Sequence, residues 1–89
     1  MKIKKGFILR EFKEGMNVVV GVGENADKLK GYLTLNETGV IVWKALEKGA
    51  TVDEIVAMIL NEYDADEQVV KNDVESVIAT LKGIGALDD

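Results

Sequence analysis

The sequence predicts an α+β fold in which a three-stranded antiparallel sheet is followed by three helices. Two observations predict it. In the first third of the 89-residue chain, apolar residues alternate with period two, whereas from residue 37 onward they recur at the three- and four-residue spacing of helices. A chain of this length can bury one modest core, so we expect a single domain over residues 1–89.

The strands are predicted from the amino-terminal alternation. Residues 7–12, FILREF, form the first strand, and Lys13-Glu14-Gly15 offers a tight hairpin because glycine adopts positive φ at no steric cost. Residues 16–22 carry apolar side chains at every second position, which is typical of a strand with one buried face. Residues 23–31 are polar and rich in turn formers, so they predict a loop, and residues 32–35 form the third strand.

The three helices are predicted over residues 37–48, 52–63 and 67–82. Each begins after a residue that can cap it: Asn36, Thr51 and Asp66. Glu54 stands three residues after Thr51 and completes a capping box. Trp43 is expected in the core. The second and third helices, joined by a short turn, resemble a helix-turn-helix beside a β-ribbon, so we interpret the fold as winged-helix-like.

The composition excludes several kinds of functional site. The chain contains no cysteine and no histidine, so it has no thiolate metal site and lacks the commonest general base. We expect no catalytic residues, no metal and no cofactor. The apolar runs are too short for a signal peptide or a membrane span, so we expect a cytoplasmic protein with no membrane partner.

Strand 32–35 has an edge that can accept another chain. In a three-stranded meander this strand has one paired neighbour, and its other side presents unpaired N–H and C=O groups. Natural proteins usually protect such an edge with charge or proline, but YLTL contains neither. An extended peptide can add to such an edge through main-chain hydrogen bonds, and a helix alongside would form the wall of a groove.

Three segments of the helical region carry a family resemblance: LNETGVIVWKAL, GATVDEIVAMILNEYDAD and VVKNDVESVIATLKGIGAL. They are similar to the PqqD-like family, also described as RiPP recognition elements, and the resemblance runs from Tyr32 to Leu87. It implies a non-catalytic, winged-helix-like domain that binds the leader of a precursor peptide. The leader would lie as a strand beside the third strand and the last helix, and a modifying enzyme such as a radical-SAM protein would then act on the peptide.

The same resemblance implies which residues would contact the peptide. They come from the third strand and the last helix: Tyr32, Leu33, Thr34, Leu35, Val70, Asp73, Val74 and Val77. Asp73 has two interpretations, as a solvated helix residue or as a charge partner for a leader lysine or backbone N–H.

Two other functions compete with peptide binding. A DNA-binding winged helix is the alternative, but residues 51–89 carry two basic and ten acidic groups, a net charge of −8, which would repel a phosphate backbone. We therefore expect no nucleic-acid partner. An enzyme is less favoured, because without histidine and cysteine the chain offers no nucleophile–base set.

Overall fold

The computed structural model describes residues 1–23 and 32–88. The strands within these ranges are β1 (Lys2–Ile3), β2 (Phe7–Lys13), β3 (Met16–Gly21), β4 (Leu33–Leu35) and β5 (Leu87–Asp88). The helices are α1 (Glu37–Glu47), α2 (Val52–Glu62) and α3 (Glu67–Gly83). The loop predicted over residues 23–31 lies, from residue 24 onward, outside the described residues.

The three predicted strands form an antiparallel meander in the order β2-β3-β4. Val18 lies at its centre and pairs with Arg10 on one side and with Thr34 on the other. Gly15 closes the β2–β3 hairpin with φ +79°, a conformation that glycine adopts without strain. A register shift between Glu11 and Lys13 marks an irregularity near the end of β2. The α+β architecture predicted from the sequence is confirmed.

The sequence did not predict the second sheet, which joins the two ends of the described chain. Strand β1 pairs antiparallel with β5, with Ile3 opposite Leu87, and the Lys4 N–H donates to the Ala86 carbonyl over 2.7 Å. Each strand is two residues long, so neither has a periodicity to detect. The pairing depends on the folded helices, which bring the two segments together.

The helices begin at the residues that the sequence indicated. The Asn36 side chain accepts from the Gly39 N–H over 2.8 Å. Thr51 and Glu54 form a reciprocal capping box, with donor–acceptor distances of 3.2 and 3.0 Å. Asp66 accepts from two backbone N–H groups in the first turn of α3. Because these caps satisfy N–H groups that have no partner within the helix, they define where each helix starts.

The core lies between the helices and one face of the meander. Trp43 is fully buried at its centre, and its indole N–H has no hydrogen-bond partner within the described ranges. The sheet contributes Phe7, Val19 and Leu35 to this core. By alternation, Val18 faces the other way, yet it is also buried. The sheet therefore has an inner face against the helices and an outer face that is itself partly apolar.

Candidate functional site

The candidate site begins at β4, the last strand of the meander. Its residues Leu33 to Leu35 pair with β3 along one side, and no strand among the described residues pairs with the other. Leu35 is buried, Leu33 is half-buried and Thr34 is exposed. The strand thus has apolar anchors in the core while one margin keeps backbone groups without strand partners.

The junction after β4 explains why a strand can stand directly before a helix. Asn36 ends the strand and caps α1, so a single residue separates the two elements. A Cβ atom at Gly39 would lie 3.1 Å from two atoms of the Leu35 side chain, which is shorter than an ordinary van der Waals contact, so Leu35 would have to shift. Glycine at this position therefore allows the first turn of α1 to pack against the end of β4.

A groove of about 540 Å³ lies between β4 and α3. Residues of the β2–β3 hairpin, of β4 and of the α1 cap line one side: Gly15, Met16, Leu33, Thr34, Leu35 and Asn36. Ser76, Val77 and Thr80 line the opposite side. A volume in this range is typical of a ligand-binding cleft in proteins. The unpaired margin of β4 and the helical wall predicted beside it are therefore parts of one concave surface.

The structure brings half of the predicted peptide-binding residues into this groove. Leu33, Thr34, Leu35 and Val77 line it. Two others do not present a surface to it, because Val70 and Val74 are respectively 5% and 0% exposed and belong to the hydrophobic core. Those two valines hold α3 in position, and Val77 and its neighbours form the wall.

The remaining two predicted residues do not line the groove. Tyr32 is exposed, and its ring stacks on that of Phe12 with centroids 6.5 Å apart. By alternation with Leu33, Tyr32 belongs to the outer face of the sheet, where Val18 is buried. Asp73 is exposed on α3 and lines a neighbouring cavity.

Five lining residues were not predicted from the sequence: Gly15, Met16, Asn36, Ser76 and Thr80. Helical periodicity could have indicated two of them, because Ser76 and Thr80 lie three and seven residues after Asp73 and share its face of α3. The Thr80 hydroxyl donates to the Ser76 backbone carbonyl over 3.0 Å. These two small side chains make this part of the wall polar. The two hairpin residues carry no such signal, because only the folded meander places them here.

The cavity beside Asp73 has a volume of about 260 Å³ and lies between the start of α1, the end of α2 and the start of α3. The Tyr63 hydroxyl donates to Glu37 Oε1 over 2.7 Å and links the first two of these helices. This hydrogen bond, together with partial desolvation and the negative charges of Glu37 and Glu62, raises the pKa of Tyr63. The phenol therefore keeps its proton to a higher pH than an ordinary tyrosine does.

The described ranges contain no group of three or more acidic, histidine or cysteine side chains arranged to hold a metal ion. None of their helices combines the length and the apolar character that crossing a membrane would require. The surface of α3 mixes charges of both signs, with Lys71 and Lys82 alongside Glu67, Asp73 and Glu75. A recognition helix for DNA would instead concentrate basic side chains.

Residues 18–87 match the family described as coenzyme PQQ synthesis protein D (PqqD). The chain belongs to the PqqD family. The match covers β4, all three helices and every residue that lines the groove except Gly15 and Met16, and it confirms the resemblance noted in the sequence. Among curated proteins, none matches the chain.

Two solved structures share the fold of this PqqD-family protein. TbiB1, in complex with the TbiA(beta) leader peptide, is 25% identical, with a TM-score of 0.78 over 99% of this chain and 95% of TbiB1. Lasso peptide synthetase B1, complexed with the leader peptide, is 16% identical, with a TM-score of 0.74 over 96% of this chain and 93% of the synthetase chain. The second likeness shows the fold alone.

Proposed function

We propose that this PqqD-family protein is a non-catalytic adaptor that binds the leader of a ribosomally made precursor peptide. The leader adds to β4 as a further strand and packs its inward side chains against α3. The bound peptide is then presented, in the cytoplasm, to a modifying enzyme such as a radical-SAM protein. The observation that carries this proposal is the unpaired margin of β4 beside the groove.

The chemistry of the groove supports an extended peptide over a compact small molecule. One wall is a strand whose backbone N–H and C=O groups can pair with another backbone, and this recognition depends little on the guest's sequence. The opposite wall offers Val77 between the hydroxyl-bearing Ser76 and Thr80. Such a surface favours a strand whose alternate side chains are apolar, because these side chains point into the cleft.

The complex of TbiB1 with the TbiA(beta) leader peptide supports the same function, because TbiB1 shares this fold over nearly its whole length. The alternative, a DNA-binding winged helix, requires a basic face, whereas residues 51–89 carry a net charge of −8 from two basic and ten acidic groups. Peptide binding is therefore the function that the groove and the charge support best.

Amide hydrogen exchange tests the proposal directly. The probe is a synthetic peptide that copies the amino-terminal segment of a short precursor reading frame beside the gene, with the TbiA(beta) leader as a comparison peptide. We expect the precursor peptide to slow exchange at β4 and to shift the NMR signals of Leu33–Leu35 and Ser76–Thr80. The amides of β2 serve as the internal control and should exchange at an unchanged rate.

Two results would count against the proposal. One is saturable binding of the precursor peptide that leaves the β4 and α3 signals unchanged, because the peptide would then bind elsewhere. The other is no binding at all by the precursor peptide at millimolar concentration.

A further inference from the structure

The groove along β4 and the cavity beside Asp73 form successive parts of one surface. Residues 76, 77 and 80 of α3 line the groove, and residues 69, 70 and 73 line the cavity. This spacing of three and four residues places both sets along one side of the helix. On the opposite wall, the groove ends at Asn36 and the cavity begins with Glu37 and Thr38. A strand lying on β4 would therefore continue into the cavity.

The cavity differs from the groove in its chemistry. Its floor includes the apolar side chains of Ile59, Val69 and Val70, and Val69 is 54% exposed. The charged side chains that line it, within the described ranges, are Glu37 and Asp73, and both are acidic. An apolar floor below a negative rim suits a side chain with a long aliphatic stem and a cationic tip.

The amino-terminal ends of α1 and α3 border the cavity and would by themselves disfavour a cation, whereas the carboxyl-terminal end of α2 would favour one. Each helix end corresponds to roughly half a charge, so the three together are equivalent to about half a positive charge, which is smaller than the two negative charges of Glu37 and Asp73. The hydrogen bond from Tyr63 holds one oxygen of Glu37 at the rim. The local field therefore favours a positive guest.

We propose that this cavity binds a lysine or arginine of the leader peptide and so selects among peptides that could all pair with β4. This inference rests on the proposed function. The centres of the two lining sets are about seven residues apart on α3, which corresponds to about 10 Å along the helix. An extended peptide covers that distance in about three residues. The basic residue should thus lie about two to four positions from the side chain that fills the groove.

Selection from a display library of random 15-residue peptides tests the specificity without any known precursor. With the wild-type protein as bait, we expect enriched peptides to combine alternating apolar residues with a lysine or arginine at the stated separation. Because the cavity lies beyond the carboxyl end of β4, a basic residue on the amino-terminal side would indicate antiparallel pairing, and one on the carboxyl-terminal side parallel pairing. Enriched peptides with no preferred basic position would overturn the inference.

Charge variants of α3 provide the matched comparison, with one enriched peptide as the probe. Asp73→Asn should weaken its binding about two- to five-fold at low salt, and Asp73→Lys more strongly. Glu75→Gln and Glu75→Lys are the controls, because Glu75 is also exposed on α3 but lines neither the groove nor the cavity beside Asp73. They change net charge by the same amounts and should alter affinity by less than about two-fold.

The outcomes separate the two proposals. If the peptide shifts the β4 signals but binds equally well to the Asp73 and Glu75 variants, the cavity has no role and the adaptor function stands. If no enriched peptide shifts the β4 signals, the adaptor function fails as well. Replacing the peptide's basic residue by norleucine should reproduce the loss seen in Asp73→Asn and remove the salt dependence.

Discussion

The meander has two edge strands, β2 and β4, and they are built very differently. Strand β2 runs for seven residues, and its second half exposes Arg10, Glu11 and Lys13 around a register shift. Strand β4 has three residues and carries no charge. Charged side chains and irregularities are the usual means by which proteins prevent edge strands from pairing with other chains.

This difference indicates which edge is available to a guest strand. Strand β2 has charges and a register shift that discourage pairing, whereas β4 has neither and lies beside a groove of about 540 Å³. If β4 were protected in the same way as β2, a guest peptide could contact only side chains in the groove and could not pair with the backbone of β4. Because β4 carries no charge, its backbone can contribute to recognition while its leucines remain anchored in the core.

The largest expected effect comes from placing a charge in the wall that faces β4. Val77→Glu should weaken leader binding by about ten- to a hundred-fold, because a carboxylate would lose hydration beside the bound strand without gaining a partner. Val77 is half-buried, so the fold should tolerate the change at a cost of about 1 kcal/mol. Titration calorimetry and thermal unfolding would measure the two effects.

Met58→Glu is the control for that substitution. Met58 is an apolar helix residue that is 48% exposed, and it lies on α2 away from the groove. Its replacement should leave affinity within about two-fold of wild type, as is usual for surface substitutions far from a site. Equal losses in both variants would show that general charge, and not the wall of the groove, governs binding.

Removing the protection of β2 should make the two edges alike. In the triple variant Arg10→Thr, Glu11→Thr, Lys13→Thr, a β-favouring polar residue replaces each charge of the exposed half of β2. We expect association that grows with protein concentration in sedimentation velocity, because an uncharged edge can pair with a second copy. Sedimentation indistinguishable from wild type at every concentration would mean that β2 is protected by something other than its charges.

Substitutions of the cap residues of α1 and α3 distinguish an effect on stability from an effect on leader binding. Asn36→Ala and Asp66→Ala each remove a side chain that accepts from helix N–H groups, so each should lower the free energy of unfolding by about 1 kcal/mol. In a domain of this size, that corresponds to a fall in Tm of about 4–8 °C. Asn36 lines the groove and Asp66 does not, so only Asn36→Ala should also weaken leader binding. Parallel losses of affinity in both variants would assign the effect to stability.

The smallest effect concerns the Tyr63–Glu37 hydrogen bond beyond the end of β4. The pKa of Tyr63 is raised in the folded protein. The hydrogen bond therefore contributes fully to stability below the pKa of the unfolded chain, about 10. This contribution is lost as the pH rises through the higher pKa of the folded protein. Wild type should therefore lose more stability above pH 10 than Tyr63→Phe does. Chemical denaturation at neutral and alkaline pH would measure the difference, and identical profiles would show that the bond does not contribute.

Local rules identified most of the fold from the sequence. The caps at Asn36, Thr51 and Asp66 and the hairpin at Gly15 depend on residues within three or four positions, so the ends of helices and strands agree with the predicted limits to within one residue. The chemistry of the third strand, with its lack of charge and proline, could also be read directly. These features are properties of short segments, and the structure confirms them.

The residues that line the groove were less predictable from the sequence, because they depend on how α3 is rotated against the sheet. Val70, Val74 and Val77 look alike in the sequence, but packing places the first two in the core and leaves the third on the wall. Gly15 and Met16 line the groove only because the meander folds its hairpin towards α3. The pairing of β1 with β5 likewise joins segments that are distant in sequence.

The sequence by itself determined the order of the main elements, where each begins, and the presence of an uncharged edge strand, since these follow from interactions between near neighbours along the chain. Tertiary structure alone decided which face of α3 meets that edge and that the acid-rimmed cavity continues the groove. The physical reason is that the burial of a side chain depends on all the elements that pack around it, so it is decided only when those elements have packed together.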